Sequence, residues 1–122
     1  MTNRKLTHTV LIVEDEEDLR ELMRHALQMH GYTVVTAEEG TDALRKIDDI
    51  GLPCVILLDL LMPGMNGWDF FDKLQERPEL ASVPVIIHSS ASSRAPAGAT
   101  RVLQKPLAFD SLLSVVAEYC ST

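Results

Sequence analysis

Five side chains in this sequence could do chemistry together: Glu14, Asp15, Asp59, Ser89 and Lys105. Three carboxylates confined to a small volume repel one another unless a cation joins them. The donors are all oxygen, with no cysteine or histidine placed to help, so hard Mg2+ fits, keeping waters and leaving room for phosphate oxygens. Lys105 is a compact charge suited to a carboxylate or a phosphoryl group. The Ser89 hydroxyl can donate to a phosphoryl oxygen. A carboxylate among such groups is equipped as a nucleophile toward phosphorus, giving an aspartyl phosphate. Metal and amine would neutralise charge on the transferred group.

The five residues share a position in the chain pattern. Continuous runs rich in β-branched residues occur at Thr9–Val13, Thr33–Thr36, Val55–Leu58, Val83–Ile87 and Arg101–Leu103. Continuous rather than alternating runs suit strands covered on both faces, as in a parallel sheet. Glu14 and Asp15 follow the first run, Asp59 the third, Ser89 the fourth and Lys105 the fifth. In open α/β sheets ligands bind beyond the carboxyl ends of the strands. Asp59 ends the central strand and is the candidate nucleophile.

Amphipathic helical patterns separate the strands. Leu19, Leu22, Met23, Ala26 and Leu27 follow i, i+3, i+4, i+7, i+8 spacing, and Gly31 supplies a stop. Ala43, Leu44, Ile47 and Ile50 mark a second helix, closed by Gly51. Phe70, Phe71 and Leu74 belong to a third, halted near Pro78; Phe109, Leu112, Leu113, Val116 and Ala117 form the last. The chain is therefore an α/β domain with helices on both sheet faces. The exception is Ser89 to Arg101, "SSASSRAPAGATR", where Pro96 and Gly98 oppose a helix and large apolar residues are scarce. One helical turn at most, or a loop, is predicted there.

The totals exclude several classes. The 122 residues suit a single domain spanning 1–122. A net charge of −7 argues against free nucleic acid or an anionic membrane as partner. No apolar run approaches the ~18 residues of a membrane span, and the polar start "MTNRKLTH" does not resemble a secretory signal. Cys54 and Cys120 lie far apart and read as reduced packing residues, which places the chain in the cytoplasm.

Four stretches, in order, resemble a response-regulator receiver domain of two-component signalling. They are "VLIVEDEEDLRELM", "VILLDLLMPGMNGWDFFDKL" with Pro63 and Gly67 four and eight residues after Asp59, "VPVIIHSSA", and "VLQKPL". The resemblance covers nearly the whole chain. It implies a flavodoxin-like, doubly wound, five-stranded parallel sheet in the order 2-1-3-4-5, with the fourth helix shortened or missing here. It makes Asp59 the phosphoacceptor, and Glu14, Asp15, Asp59 and the backbone carbonyl of Leu61 the Mg2+ site. Ser89 would follow the phosphoryl group and Lys105 would contact it; Lys105-Pro106 is expected to be cis. The implied donor is a histidine kinase or a histidine phosphotransfer protein, and the output is a signalling switch acting on an unspecified downstream protein rather than metabolic catalysis.

Other residues carry blander readings. Glu16, Glu17 and Asp18 are first-turn acids favoured by the helix dipole. Asp59 could merely cap a turn, and Ser90 rivals Ser89. His88 is expected to face away from Ser89, partly buried and hydrogen-bonded. Met62 and Met65 should pack under the loop, and Trp68, Phe70 and Phe71 on or under a helix.

Three departures from the family pattern stand out. Glu14 replaces the commoner Asp. Val102 occupies the position of an aromatic switch residue. The segment between Ser89 and Lys105 is short by roughly one and a half helical turns. The alternative is therefore a receiver-like interaction module, or a phosphorelay or phosphate-sink domain with an atypical output face. The segment "ASSRAPAGAT" could also become ordered only with a partner. A phosphohydrolase is disfavoured by Leu61, where many carry a second acid, and a flavin site by the acids crowding its phosphate loop. Leu61 and Ala91 flank the path of an attacking water and cannot orient it, which predicts slow loss of the phosphoryl group. Ala108 stands where a Ser or Thr often caps the last helix, with Asp110 in the first turn as partial compensation.

Overall fold

The computed structural model describes residues 6–90 and 94–121. In chain order the elements are β1 (Thr9–Val13), α1 (Glu17–Met29), β2 (Thr33–Ala37), α2 (Gly40–Ile50), β3 (Val55–Leu58), α3 (Gly67–Gln75), α4 (Pro78–Ala81), β4 (Val85–Ser89), β5 (Arg101–Gln104) and α5 (Phe109–Tyr119). All strand pairings are parallel and the sheet order is β2-β1-β3-β4-β5, as expected.

Strand alternation divides the core in two. Leu11 and Val13 of β1 turn toward α2 and α3, meeting Ala43, Ile47, Phe70 and Leu74. Val10 and Ile12 turn the other way, meeting Met23 and Leu27 of α1 and Leu112 and Val116 of α5. Both faces of β1 and β3 are covered, which is why their runs are continuously apolar. Each fully buried side chain of this size contributes ~1.5–3 kcal/mol.

Helix ends follow local chemistry. The Glu39 carboxylate accepts from Thr41 N at 2.6 Å and opens α2; the Asn66 side-chain carbonyl accepts from Asp69 N at 2.9 Å and opens α3. Gly51 ends α2 with φ 101°, a conformation that L side chains rarely adopt. Ala108 precedes α5 without a side-chain cap, and Asp110 stands in the first turn.

α3 ends at Gln75, near Pro78 as expected, and that proline opens the separate four-residue α4. Three expectations change. β4 begins at Val85 rather than Val83, because Val83 N closes the turn after α4 by donating to Leu80 O at 3.0 Å. Cys54 and Cys120 are not free thiols but form a disulfide across 5.5 Å between Cα atoms. Their separation of 66 residues hid the pairing; the start of β3 and the end of α5 meet at the amino end of the sheet. His88 is fully buried, and neither ring nitrogen has a hydrogen-bond partner among the described residues.

The β4–β5 connection carries no α-helix among its described residues, 90 and 94–100, as predicted. Ala91, named for the water path, lies outside the described residues, as do Ser92 and Ser93 of "ASSRAPAGAT". The connection is fastened to α3. Trp68 Nε1 donates to Arg94 O at 2.8 Å, and the Arg94 guanidinium lies 5.6 Å from the Trp68 ring centroid. Gly98 packs so closely on Phe71 that a Cβ would sit 3.1 Å from the ring. No helix of the described residues is long and apolar enough to cross a membrane.

Candidate functional site

The strand ends place the acids. Glu14 N donates to Ala37 O and Asp59 N to Val13 O, each at 3.0 Å, so both residues stay on the sheet's hydrogen-bond frame as the chain leaves it. One carboxylate oxygen each from Glu14, Asp15 and Asp59 lies within 4.8 Å of the others. Glu14 and Asp59 are buried, whereas Asp15 faces solvent.

Lys105 closes the cluster. Its Nζ donates to Glu14 Oε1 at 3.2 Å and to Asp59 Oδ2 at 3.4 Å. Lys105 N also donates to Ser89 O at 3.4 Å, which ties the ends of β4 and β5 together. The Lys105-Pro106 bond is cis, as expected. Ser89 is buried at the end of β4, opposite Gln104 in register, while Ser90 is exposed just beyond it.

A tight loop holds Asp59 from below. Gly67 N donates to Leu60 O at 2.9 Å, and a Cβ at Gly67 would stand 2.4 Å from Asp59 O and 2.6 Å from Leu60 Cα. Only glycine lets α3 start this close to the acid's backbone. Leu61 N lies 3.4 Å from Asp59 Oδ1, a long hydrogen bond that turns the carboxylate toward its own loop. Met62 is buried and Met65 packs on the core below the loop, as expected.

Burial and crowding set the charges. Burial first, and then Asp59, push Glu14 up to about 7 against the pull of the Glu16 N–H and Lys105. Burial also raises Asp59, with Lys105 and the Leu61 N–H opposing it. Burial alone would lower Lys105, but Glu14 and Asp59 outweigh it and raise the ammonium. A site that holds acids in their less acidic form is short of positive charge. An all-oxygen donor set of this kind fits a hard divalent cation.

Two neighbours escaped the sequence reading. Arg20 Nη1 donates to Glu14 O at 2.9 Å and to Asp15 O at 3.4 Å, clamping the acidic turn from the first turns of α1. Its spacing of four residues from Glu16, the N-cap, was the available signal. His88, expected to face away from Ser89, brings Nδ1 to 3.6 Å from Glu14 Oε1. That is too long for a hydrogen bond. Burial, then Lys105, lowers His88 to about 3, so the ring is neutral. Of the five acids in the run, Glu16 caps α1 through its backbone while Glu17 and Asp18 occupy its first turn.

Residues 10–117 match the sequence profile described as the response regulator receiver domain. The chain belongs to that family. The sensory transduction protein RegX3 of Mycobacterium bovis is 39% identical over 85 residues, covering 70% of this receiver and 36% of that protein. This receiver thus spans about a third of that relative's length. Among solved structures, a response regulator from Chloroflexus aurantiacus superposes with TM-score 0.85 at 29% identity, over 93% of this receiver and 98% of that chain. The response regulator TrrA of Thermotoga maritima, solved in complex with Mg(2+)-BeF, superposes with TM-score 0.80 at 30% identity, over 91% and 97%. This receiver is a signalling domain of the two-component type. Val102 is 44% exposed on the edge strand.

Proposed function

We propose that residues 1–122 act as one phosphoacceptor domain in the cytoplasm, taking a phosphoryl group onto Asp59 from a histidine kinase or a histidine phosphotransfer protein. The observation that carries this reading is Lys105 Nζ within 3.4 Å of both Glu14 and Asp59, inside a cluster that also holds Asp15. Glu14, Asp15, Asp59 and the Leu61 carbonyl would hold Mg2+. When bound, the ion would supply charge neutralisation for the phosphoryl oxygens.

The chain's own groups do the rest. An Asp59 carboxylate oxygen attacks phosphorus, and the phosphorus–nitrogen bond of the phosphohistidine breaks, its electron pair returning to the donor's imidazole. Lys105 exchanges its contact with free Asp59 for the transferred group, and Ser89 donates to a phosphoryl oxygen. These contacts bias a two-state conformational equilibrium, which is the signal. The donor docks as a protein; the net charge of −7 does not favour nucleic acid or an anionic membrane. The Mg(2+)-BeF complex of TrrA supports the metal assignment by analogy.

A second reading, an interaction module whose output does not depend on phosphorylation, draws on the exposed Val102 and on a β4–β5 connection without an α-helix among its described residues. Acetyl phosphate with Mg2+ followed by intact mass separates the two. A phosphoryl adduct on the wild type that is absent from Asp59→Ala is the expected result. No adduct with any phosphodonor would overturn the phosphoacceptor reading and leave the module.

A further inference from the structure

The end of the sheet opposite the acids carries a second reactive group, the Cys54–Cys120 pair. Cys54 stands immediately before β3, whose other end leads into Asp59. Cys120 is the C-cap of α5, the helix that follows Lys105 and its turn. The chain's described ends converge on the same place: Leu6 N donates to Leu52 O at 2.9 Å, and Ser121 N to Thr7 O at 2.8 Å. The bond therefore fastens the last turn of α5 to the strand that carries the acceptor acid.

Each cysteine retains 8% of its exposure and sits at an element boundary rather than inside one. Helix ends fray at low cost, so a small thiol reaches a sulfur without global unfolding. The bond spans 66 residues of sequence, over half the chain. A loop of that length is the kind whose closure most restricts the unfolded state.

We propose that Cys54 and Cys120 form a reversible thiol–disulfide modification site, opened by dithiol reductants and closed by small-molecule disulfides, that sets how firmly α5 is held on the sheet. In opening, a reductant thiolate attacks one cysteine sulfur, the S–S bond breaks, and the other cysteine leaves as a thiolate. The reductant's second thiol then attacks the mixed disulfide and expels the first cysteine. Two electrons and two protons pass from the reductant to the pair, and the reductant ends as a disulfide. Closing by a small disulfide runs the same exchange in reverse. In a reducing compartment the pair is open, and an oxidising shift closes it. The site is independent of Asp59 and needs no phosphoryl chemistry.

The test equilibrates the full chain with glutathione disulfide or with dithiothreitol, alkylates it, and records intact mass and thermal melting in parallel. The expected result is two added alkyl groups only after dithiothreitol, with the oxidised form melting roughly 10 °C or more above the reduced form. Hydrogen exchange in the last turn of α5, Val116 to Tyr119, should quicken on reduction. The double variant Cys54→Ser/Cys120→Ser should melt with the reduced wild type and ignore the redox couple. Two alkyl groups under both conditions, or equal melting of the two forms, would overturn the proposal. So would a disulfide that dithiothreitol opens only in denaturant. The oxidised-against-reduced comparison uses wild-type protein throughout, so it stands even if the double variant fails to fold.

Discussion

β1 and β3 contrast with β5 in the same sheet. β1 and β3 each have a strand on either side and a helical layer on either face, and every residue in them is buried. β5 is an edge strand with no helix before it among the described residues, and three of its four residues are exposed. The acids that repel one another leave from the stiff strands, where backbone hydrogen bonds to Ala37 and Val13 hold them in place. Lys105, which must exchange partners during the proposed phosphoryl transfer, leaves from the loosely covered one. Rigidity is spent where charge has to be confined, and freedom is left where a contact has to change.

Core substitution should break this contrast most strongly. Leu57→Ala in β3 is expected to cost about 3 kcal/mol in urea unfolding, since a fully buried leucine leaves a cavity between two packed layers. Next comes the cation at the boundary of the two regions. Lys105→Met should leave the domain folded and slow phosphorylation of Asp59 by acetyl phosphate by roughly 10²-fold, the scale of losing one charged donor. An unchanged rate would remove Lys105 from the transfer step.

The pH dependence tests the stiff side alone. Glu14 titrates near 7 in the folded protein and at 4.5 as an unperturbed group. Below pH 4.5 both states hold the proton and no penalty arises. Between 4.5 and about 7 the unfolded carboxyl ionises first, so the metal-free protein should lose stability as pH rises through that window. Mg2+ binding requires the ionised acid, so its affinity should climb with pH, approaching about tenfold per unit below 7 and levelling above it. Titration calorimetry reads the affinity; a flat profile would detach Glu14 from the metal. The smallest effect belongs to the edge. Val102→Ala should change stability by no more than about 0.5 kcal/mol, because the side chain is already half in water.

Much of this was readable from residue order. Continuous apolar runs announced strands covered on both faces, and the residues directly after them named the acids, the serine and the lysine. Gly51, the stop of α2, acts through its own backbone neighbourhood and could be read locally. Pro78 was legible as punctuation, but a stop for one helix and the first residue of another carry the same signal. His88 was misjudged because strand alternation tells which way a side chain turns, not what another strand has placed there. Glu14 comes from β1 and His88 from β4, and β3 lies between those strands in the sheet.

Local periodicity and spacing carried the strand–helix rhythm, the family resemblance, the five-residue chemical set and the expectation of one helical turn at most before β5. Tertiary structure alone decided which groups share a charge environment and which distant atoms touch. The raised Glu14, the neutral His88 and the Cys54–Cys120 bond all arise from contacts between elements. Burial and through-space electrostatics depend on three-dimensional distance, and chain order does not encode that distance residue by residue.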